Sequence, residues 1–361
     1  MKTLNKLESK IIQERFLFSK NILGPIFYEF CHLLHKEITN NYNDSYIILY
    51  MARGGLRLRY LYQLYRKLNN LKCNLTEKDL YISRLACTKS CLYTDFDYVF
   101  DYSILRNPEY IKKIYRENNL ENNYFLKQHM NFKKYLGNLL EGKEKIILVD
   151  TGWFGNTQGM LMRSFSQYEW VGLYFAISSR HKPDIPNLNI SGISTDELKH
   201  NKYPRSCIFA YHLLIENILE IEFPSTEGYQ DNDGVIMPNA GIALESVIAP
   251  TSKSNDLFFS GIVEYFKEQS QCNLDQIERQ ADKAYKKLFR LIKFPKKNEV
   301  SIMDCTENGS FLNFQVNAPK SSLKTKINRV RQAHWNSGQT TLEFPLPIAR
   351  LIQLLKIWKP F

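Results

Sequence analysis

The residues of this chain that could do chemistry gather at a few glycine-punctuated turns. In "SYIILYMARGG" a short apolar run ends on Arg53, and Gly54 and Gly55 follow. Glycines let a backbone approach a ligand closely, and a helix opening behind them presents unpaired N–H groups to an anion. Arg53 would add a bidentate grip on phosphate, with Arg57 and Arg59 nearby in sequence. A plain strand-to-helix turn with a solvated arginine fits the same residues.

"KIILVDTGWFGNTQG" has the same form with the opposite charge at its end. Here Thr151, Gly152, Asn156 and Thr157 could offer hydroxyl, amide and backbone donors to a phosphate. Asp150 could hold sugar hydroxyls or a magnesium-bound water. Alternatively, Asp150 caps the next helix and Trp153 packs.

Three smaller constellations carry titratable groups. Glu216 and Glu220 are spaced i, i+4 and share a face of a helix read over His212–Leu219 and beyond. Either could act as a general base, or the pair could be an exposed charged face. His181, between Arg180 and Lys182, is the histidine to single out, because the other six lack a companion at ligand or triad spacing. Asp95 and Asp97 in "TDFDY" could chelate the metal of a nucleotide-sugar glycosyltransferase, or could simply cap a helix. They could also begin a phosphatase of the haloacid dehalogenase type, but "KSCLY" is a poor apolar strand to precede one. No serine or cysteine sits in a nucleophile elbow.

These turns need a scaffold of strands and helices. Strands are expected at Tyr46–Met51, over "DLYISR" ending at Arg84, at Lys145–Asp150, and over "WVGLYFAIS" leading into Arg180. Helical spacing fills the intervals, including Leu58, Leu61, Tyr65 and Leu68, and a mostly helical stretch from Asp95 to Leu140. Strands alternating with helices imply an α/β fold, a mostly parallel Rossmann-like sheet with its ligand site at the carboxyl ends of the strands. Arg53, Arg84, Asp150 and Arg180 would then meet in one crevice. Residues 1–44 read as two helices broken at Gly24-Pro25, residues 45–250 as the core, and residues 251–361 as a basic helical region.

The bulk composition suits this. The chain has 361 residues, 44% of them hydrophobic, which is ample for a core, and a net charge of +11 that favours anionic partners. Seven scattered cysteines with no CxxC pair indicate neither a zinc site nor a disulfide framework. There is no signal-peptide core at the N-terminus and no run near the ~20 apolar residues of a spanning helix, so a soluble, cytoplasmic protein is expected. The basic helices after residue 275 read as solvated faces, with no nucleic-acid groove. The last stretch, "PIARLIQLLKIWKPF", could rest on a membrane surface as a basic amphipathic helix.

Taken in order, "NILGPIFYEF", "YMARGG", "YISRLA", "IILVDTGWFGNTQ", "GLYFAIS", "PSTEGY" and "HWNSG" resemble the glycan-specific phosphoribosyltransferase domain of bacterial ribofuranosyltransferases, which serve O-antigen and capsule biosynthesis. The Asp-x-Gly-Trp-x-Gly-x-x-Gln pattern from Asp150 to Gln158, which takes in Trp153 and Gly155, is the most specific of these. The resemblance implies 5-phosphoribosyl 1-diphosphate as donor, with magnesium on its diphosphate, and a hydroxyl of a lipid-linked glycan as acceptor. It implies Arg53 and Arg84 on the departing pyrophosphate, the Thr151 to Thr157 turn on a donor phosphate, Asp150 on ribose hydroxyls or the metal, and Glu216 as base. It also implies peripheral work at the inner face of the cytoplasmic membrane. There are two departures. The family has an aspartate where this chain has Gly54, and its members often carry a fused phosphatase not credible here, so a separate phosphatase would remove the phosphate. A nucleotide-sugar glycosyltransferase and a non-catalytic anion-binding scaffold are the alternative readings.

Overall fold

A computed structural model describes residues 2–95, 122–178, 187–199, 204–251, 256–269, 273–303 and 321–357. They fall into two compact units. One comprises Cys31–Lys199 and Leu219–Ala249, and the other Met1–Phe30, His200–Ile218 and Pro250–Phe361. Residues 1–30 and 251–361, expected in separate flanks, thus belong to one unit together with residues 200–218 and 250 of the expected core, while residues 31–44 of the expected N-terminal flank go with the sheet.

The first unit is an α/β sheet of five parallel strands: β1 (Tyr46–Met51), β2 (Thr76–Leu80), β3 (Lys145–Trp153), β4 (Glu169–Ile177) and β5 (Asn189–Asp196). Their spatial order is β2-β1-β3-β4-β5. The chain therefore leaves β1 in one direction to make β2 and returns to the other side of β1 to make β3. Ile47, Ile48, Leu49 and Tyr50 of β1, and Ile146 to Val149 of β3, are buried on both faces, as the continuous apolar runs require. Helix Gly54–Leu68 follows β1, helix Arg84–Cys91 follows β2, helix Asn122–Leu140 precedes β3, and helix Asn156–Ser164 follows β3. A core that includes Leu56, Cys87, Leu136, Leu161 and Tyr174 fills the space between them and the sheet. A hairpin of β6 (Tyr229–Asn232) and β7 (Val235–Pro238) completes this unit.

Two strands differ from expectation. β2 begins three residues upstream of the segment read as a strand and shares only Asp79 and Leu80 with it, so "YIS" is a connection and Arg84 opens a helix. β2 is an edge strand, and its charges are held by partners: Arg66 pairs with Glu77 at 2.7 Å, and Arg59 with Asp79 at 2.9 Å. β5 is polar along much of its length, with no apolar run to announce it.

The second unit is helical. The expected break at Gly24-Pro25 is absent. Instead a π-helical turn over Ser19–Leu23 joins helix Lys2–Phe18 to the helix beginning at Gly24, where Pro25 falls in the first turn and needs no N–H partner. Arg205 binds both carboxylate oxygens of buried Glu29, at 2.7 and 2.8 Å, and also Asp282 at 2.8 Å. Trp335 of "HWNSG" stacks on Tyr211 and donates its indole N–H to the Ile292 carbonyl, so this motif is a packing device.

The Arg59–Asp79 pair, extended by Glu245, pins helix Gly54–Leu68 to β2. Burial outweighs the neighbouring guanidinium and pushes the Asp79 carboxyl from its ordinary 3.8 up to about 6. The folded protein therefore takes up this proton more readily than the unfolded chain. The resulting stabilisation is complete below pH 3.8 and lost as pH rises through about 6. Asp79→Asn is expected to remove a pH dependence on the order of 2 kcal/mol across that window. Urea denaturation at a series of pH values measures it; an unchanged slope would contradict it.

Candidate functional site

In a sheet of this order, the connections after β1 and β3 run to opposite faces and leave a crevice between them at the carboxyl ends of the strands. The sequence puts its two glycine turns at these ends. Pairing between β1 and β3 ends at Tyr50 with Val149, whereas β3 continues to Trp153 alongside β4. Asp150 is therefore the first residue at which β3 outruns its neighbour, three residues before the strand stops rather than at its tip.

The two turns touch. A Cβ on Gly54 would lie 2.9 Å from Thr151 Cγ2 and 3.6 Å from Asp150 Oδ1. On Gly55 it would lie 2.8 Å from the Val149 carbonyl. The helix after β1 can therefore begin directly against β3 only because both positions are glycine. The methyl of Thr151 occupies the room that a side chain at position 54 would need.

Arg53 sits at the head of this helix, and its guanidinium donates to Glu220 at 2.9 Å. Both partners stay accessible, with side chains 33% and 41% exposed. Neither Arg53 nor Gly155 caps the helix behind it with a side chain, whereas Ser83 accepts from the Ala86 N–H and caps helix Arg84–Cys91. The Leu56 N–H of the first turn donates to the Arg53 carbonyl, and neither cap residue offers a side-chain acceptor to the N–H groups before it. Gly155 and Trp153 both take left-handed backbone, at φ 74° and 99°. Trp153 and Thr151 are buried, while Asp150, Gly152, Asn156 and Thr157 are half-buried. Asn156 Oδ1 is buried without a hydrogen-bond partner among the described residues, a cost that a bound donor would relieve.

The remaining expected residues divide. Arg84 is exposed at the start of its helix, on the same edge of the sheet, since β2 runs parallel beside β1. The Ser83 hydroxyl donates to the Thr226 carbonyl, and Tyr229 donates to the Tyr81 carbonyl at 2.9 Å. These bonds fix the "PSTEGY" turn at that edge. Gln158 is not at the surface of its turn. It is fully buried, its amide donates to the carbonyls of Trp170 and Asn189 at 3.3 and 3.0 Å, and its oxygen accepts from Tyr174 at 2.9 Å. Burial holds the Tyr174 phenol well above its ordinary range, so it remains a donor. With every group used inside the sheet, Gln158 braces β4 and β5 under the turn, and the expectation of direct donor contact is corrected to a positioning role.

Arg57 and Arg59 are likewise buried along the helix, Arg59 being committed to Asp79 and Glu245. Glu216 lies on helix His212–Leu219, and Glu220 is the first residue past its end. Asp95 pairs with Arg163. Asp97, Arg180 and His181 lie outside the described residues.

Glu220 as the partner of Arg53 was beyond sequence reasoning, which linked it only to Glu216. Among the described residues, no group of three or more His, Cys, Asp or Glu side chains could hold a metal ion. A magnesium ion carried on a diphosphate asks for less, often one protein carboxylate with phosphate oxygens and water, and half-buried Asp150 fits that demand. No described helix is long and apolar enough to cross a membrane. No protein-family model matches this chain, and a search of curated proteins finds no match.

Proposed function

We propose that this protein is a glycosyltransferase that moves 5-phosphoribosyl from phosphoribosyl diphosphate to a hydroxyl of a lipid-linked glycan, in O-antigen or capsule synthesis. The observation that carries the reading is the close approach of Gly54, next to Arg53, to Asp150 and Thr151 at the β1/β3 crevice, with two helix starts uncapped by side chains beside it. A donor bearing phosphate at both ends of a pentose asks for two anion sites flanking a hydroxyl-binding carboxylate. The Gly54-Gly55 helix start with Arg53 supplies one, the Gly155–Thr157 helix start supplies the other, and Asp150 lies between them in the chemistry we assign. Magnesium bound to the diphosphate would neutralise charge on the leaving group, with Asp150 as its protein ligand.

The chemistry then follows from charge. The acceptor hydroxyl oxygen attacks the anomeric carbon. The bond from that carbon to the pyrophosphate oxygen breaks, and pyrophosphate leaves with the electron pair. Arg53, assisted by Arg84, meets the negative charge that develops there, most effectively where water is excluded. The hydroxyl proton passes to a carboxylate. That base must lie on the face away from the pyrophosphate, whereas Glu220, bonded to Arg53 on the leaving-group side, orients the arginine. Displacement from the opposite face inverts the anomeric centre and gives a β-linked ribofuranosyl phosphate, whose phosphate a separate phosphatase removes. The lipid-linked acceptor places the protein at the inner face of the cytoplasmic membrane as a peripheral enzyme.

Incubation with donor, magnesium and a panel of lipid-linked glycans is expected to release pyrophosphate and add one phosphoribosyl unit to an acceptor, read by mass. Thermal stabilisation by nucleotide sugars, with none by phosphoribosyl diphosphate, would replace this reading with a nucleotide-sugar transferase. Donor binding without turnover on any acceptor would leave an anion-binding scaffold.

A further inference from the structure

The last described helix, Leu346–Ile357, is turned inside out. Its inward face carries Ala349 and Gln353, both buried, with Ile352 partly buried beside them. Gln353 is fully engaged there: it donates to the Ser337 carbonyl at 3.0 Å and to Thr341 Oγ1 at 2.9 Å, and it accepts from Arg350 at 3.0 Å. Ile348, Leu351, Leu354 and Leu355 form a stripe at helical spacing on the opposite side, each between 48% and 61% exposed. An ordinary surface helix puts its aliphatics inward and its polar groups outward. Helix propensity does not ask for four exposed aliphatics, and such a contiguous stripe is the mark of a surface that meets an apolar partner.

The charge around the stripe identifies the partner. Val330, Phe344 and Ala349 share one small core, which ties helix Leu323–Gln332 to the stripe helix. That neighbour is basic, with Lys324 and Arg331 exposed. Among the described side chains from residue 321 to 355 there are five Lys and Arg and a single acid, Glu343, which Arg329 already holds at 2.6 Å. A second copy docking through the same stripe would bring this uncompensated positive charge against itself. An apolar layer beneath a sheet of negative charge satisfies both features, since leucines bury among acyl chains while lysines and arginines stay at the headgroups.

We propose that helix Leu346–Ile357 lies in the interface of an anionic lipid bilayer, with Ile348, Leu351, Leu354 and Leu355 inserted and Lys324 and Arg331 against the headgroup phosphates. This gives the peripheral attachment a defined surface, but it rests on residues apart from the donor crevice. Donor binding and membrane binding can therefore fail separately.

Flotation with vesicles of equal parts phosphatidylglycerol and phosphatidylcholine tests the proposal. The full-length protein should float with these vesicles, bind pure phosphatidylcholine far less, and be released by rising salt. Leu351→Glu and Leu355→Glu should each weaken binding by about tenfold or more. Both positions are exposed, so an unchanged melting temperature and unchanged donor binding separate lost docking from lost folding. Lys324→Glu with Arg331→Glu should weaken binding chiefly at low salt. Failure of the wild type to bind the anionic vesicles, or full binding by the leucine variants, would overturn the proposal. So would a wild-type dimer that Leu351→Glu converts to monomer, because a second copy would then cover the stripe.

Discussion

Replacing Arg53 with alanine is expected to weaken binding of phosphoribosyl diphosphate by about thirtyfold to several thousandfold, with little change in folding stability. The first half follows from the role assigned to the guanidinium: removing one member of a desolvated charge pair costs about 2–5 kcal/mol, and each 1.4 kcal/mol is tenfold. The second half follows from its surroundings. The contact that Arg53 makes with Glu220 in the protein alone joins two side chains one-third and two-fifths exposed. Pairs so open to water contribute about 0–1 kcal/mol, since solvent and salt screen them and holding two long side chains costs entropy. Titration calorimetry with donor and magnesium measures one quantity, and urea denaturation the other. Donor affinity within about threefold of wild type would remove Arg53 from the site, and with it the phosphoribosyl reading.

The largest expected effect on stability belongs to Gly152. At φ 97° its backbone is one that residues with a side chain rarely adopt, and a Cβ there would lie 2.3 Å from the Ala176 carbonyl and 2.8 Å from Tyr174 Cβ. Neither obstacle can swing aside. Ala176 is paired with Gly152 in the β3–β4 ladder, and Tyr174 is held by its hydrogen bond to Gln158. Gly152→Ala should therefore cost about 3 kcal/mol or more, or prevent folding, because strain and overpacking act together. Gly137 is the control. It lies exposed in helix Asn122–Leu140 with nothing within 4 Å of its added Cβ, so Gly137→Ala should stabilise by about 0.5–1 kcal/mol. Equal effects at the two positions in denaturant would show that the β3–β4 contact is looser than described.

β1, β3 and β4 were legible in the sequence because each is a run of apolar residues covered on both faces, and such runs mark central parallel strands. β2 was not, since "TEKDL" is an edge strand with charged side chains satisfied by Arg66 and Arg59, while the apolar "YI" after it is buried without belonging to the ladder. β5 hides for a similar reason. The opening of the site was equally local: a charge followed by glycines at the end of an apolar run gave Arg53, Gly54, Gly55, Asp150 and Gly152 their candidacy.

By itself the sequence determined which segments must be strands buried on both faces, and which turns could approach an anion, because burial and backbone freedom leave their mark within a few residues. The tertiary structure alone decided that β3 returns beside β1, that Glu220 reaches Arg53, and that Gln158 turns inward to brace β4 and β5. It also decided which side of the last helix faces the protein: the spacing of its leucines is the same whether they point in or out, and only the packing of Ala349 and Gln353 sets the direction. Periodicity records what a segment buries. Pairing between segments far apart in the chain decides against what.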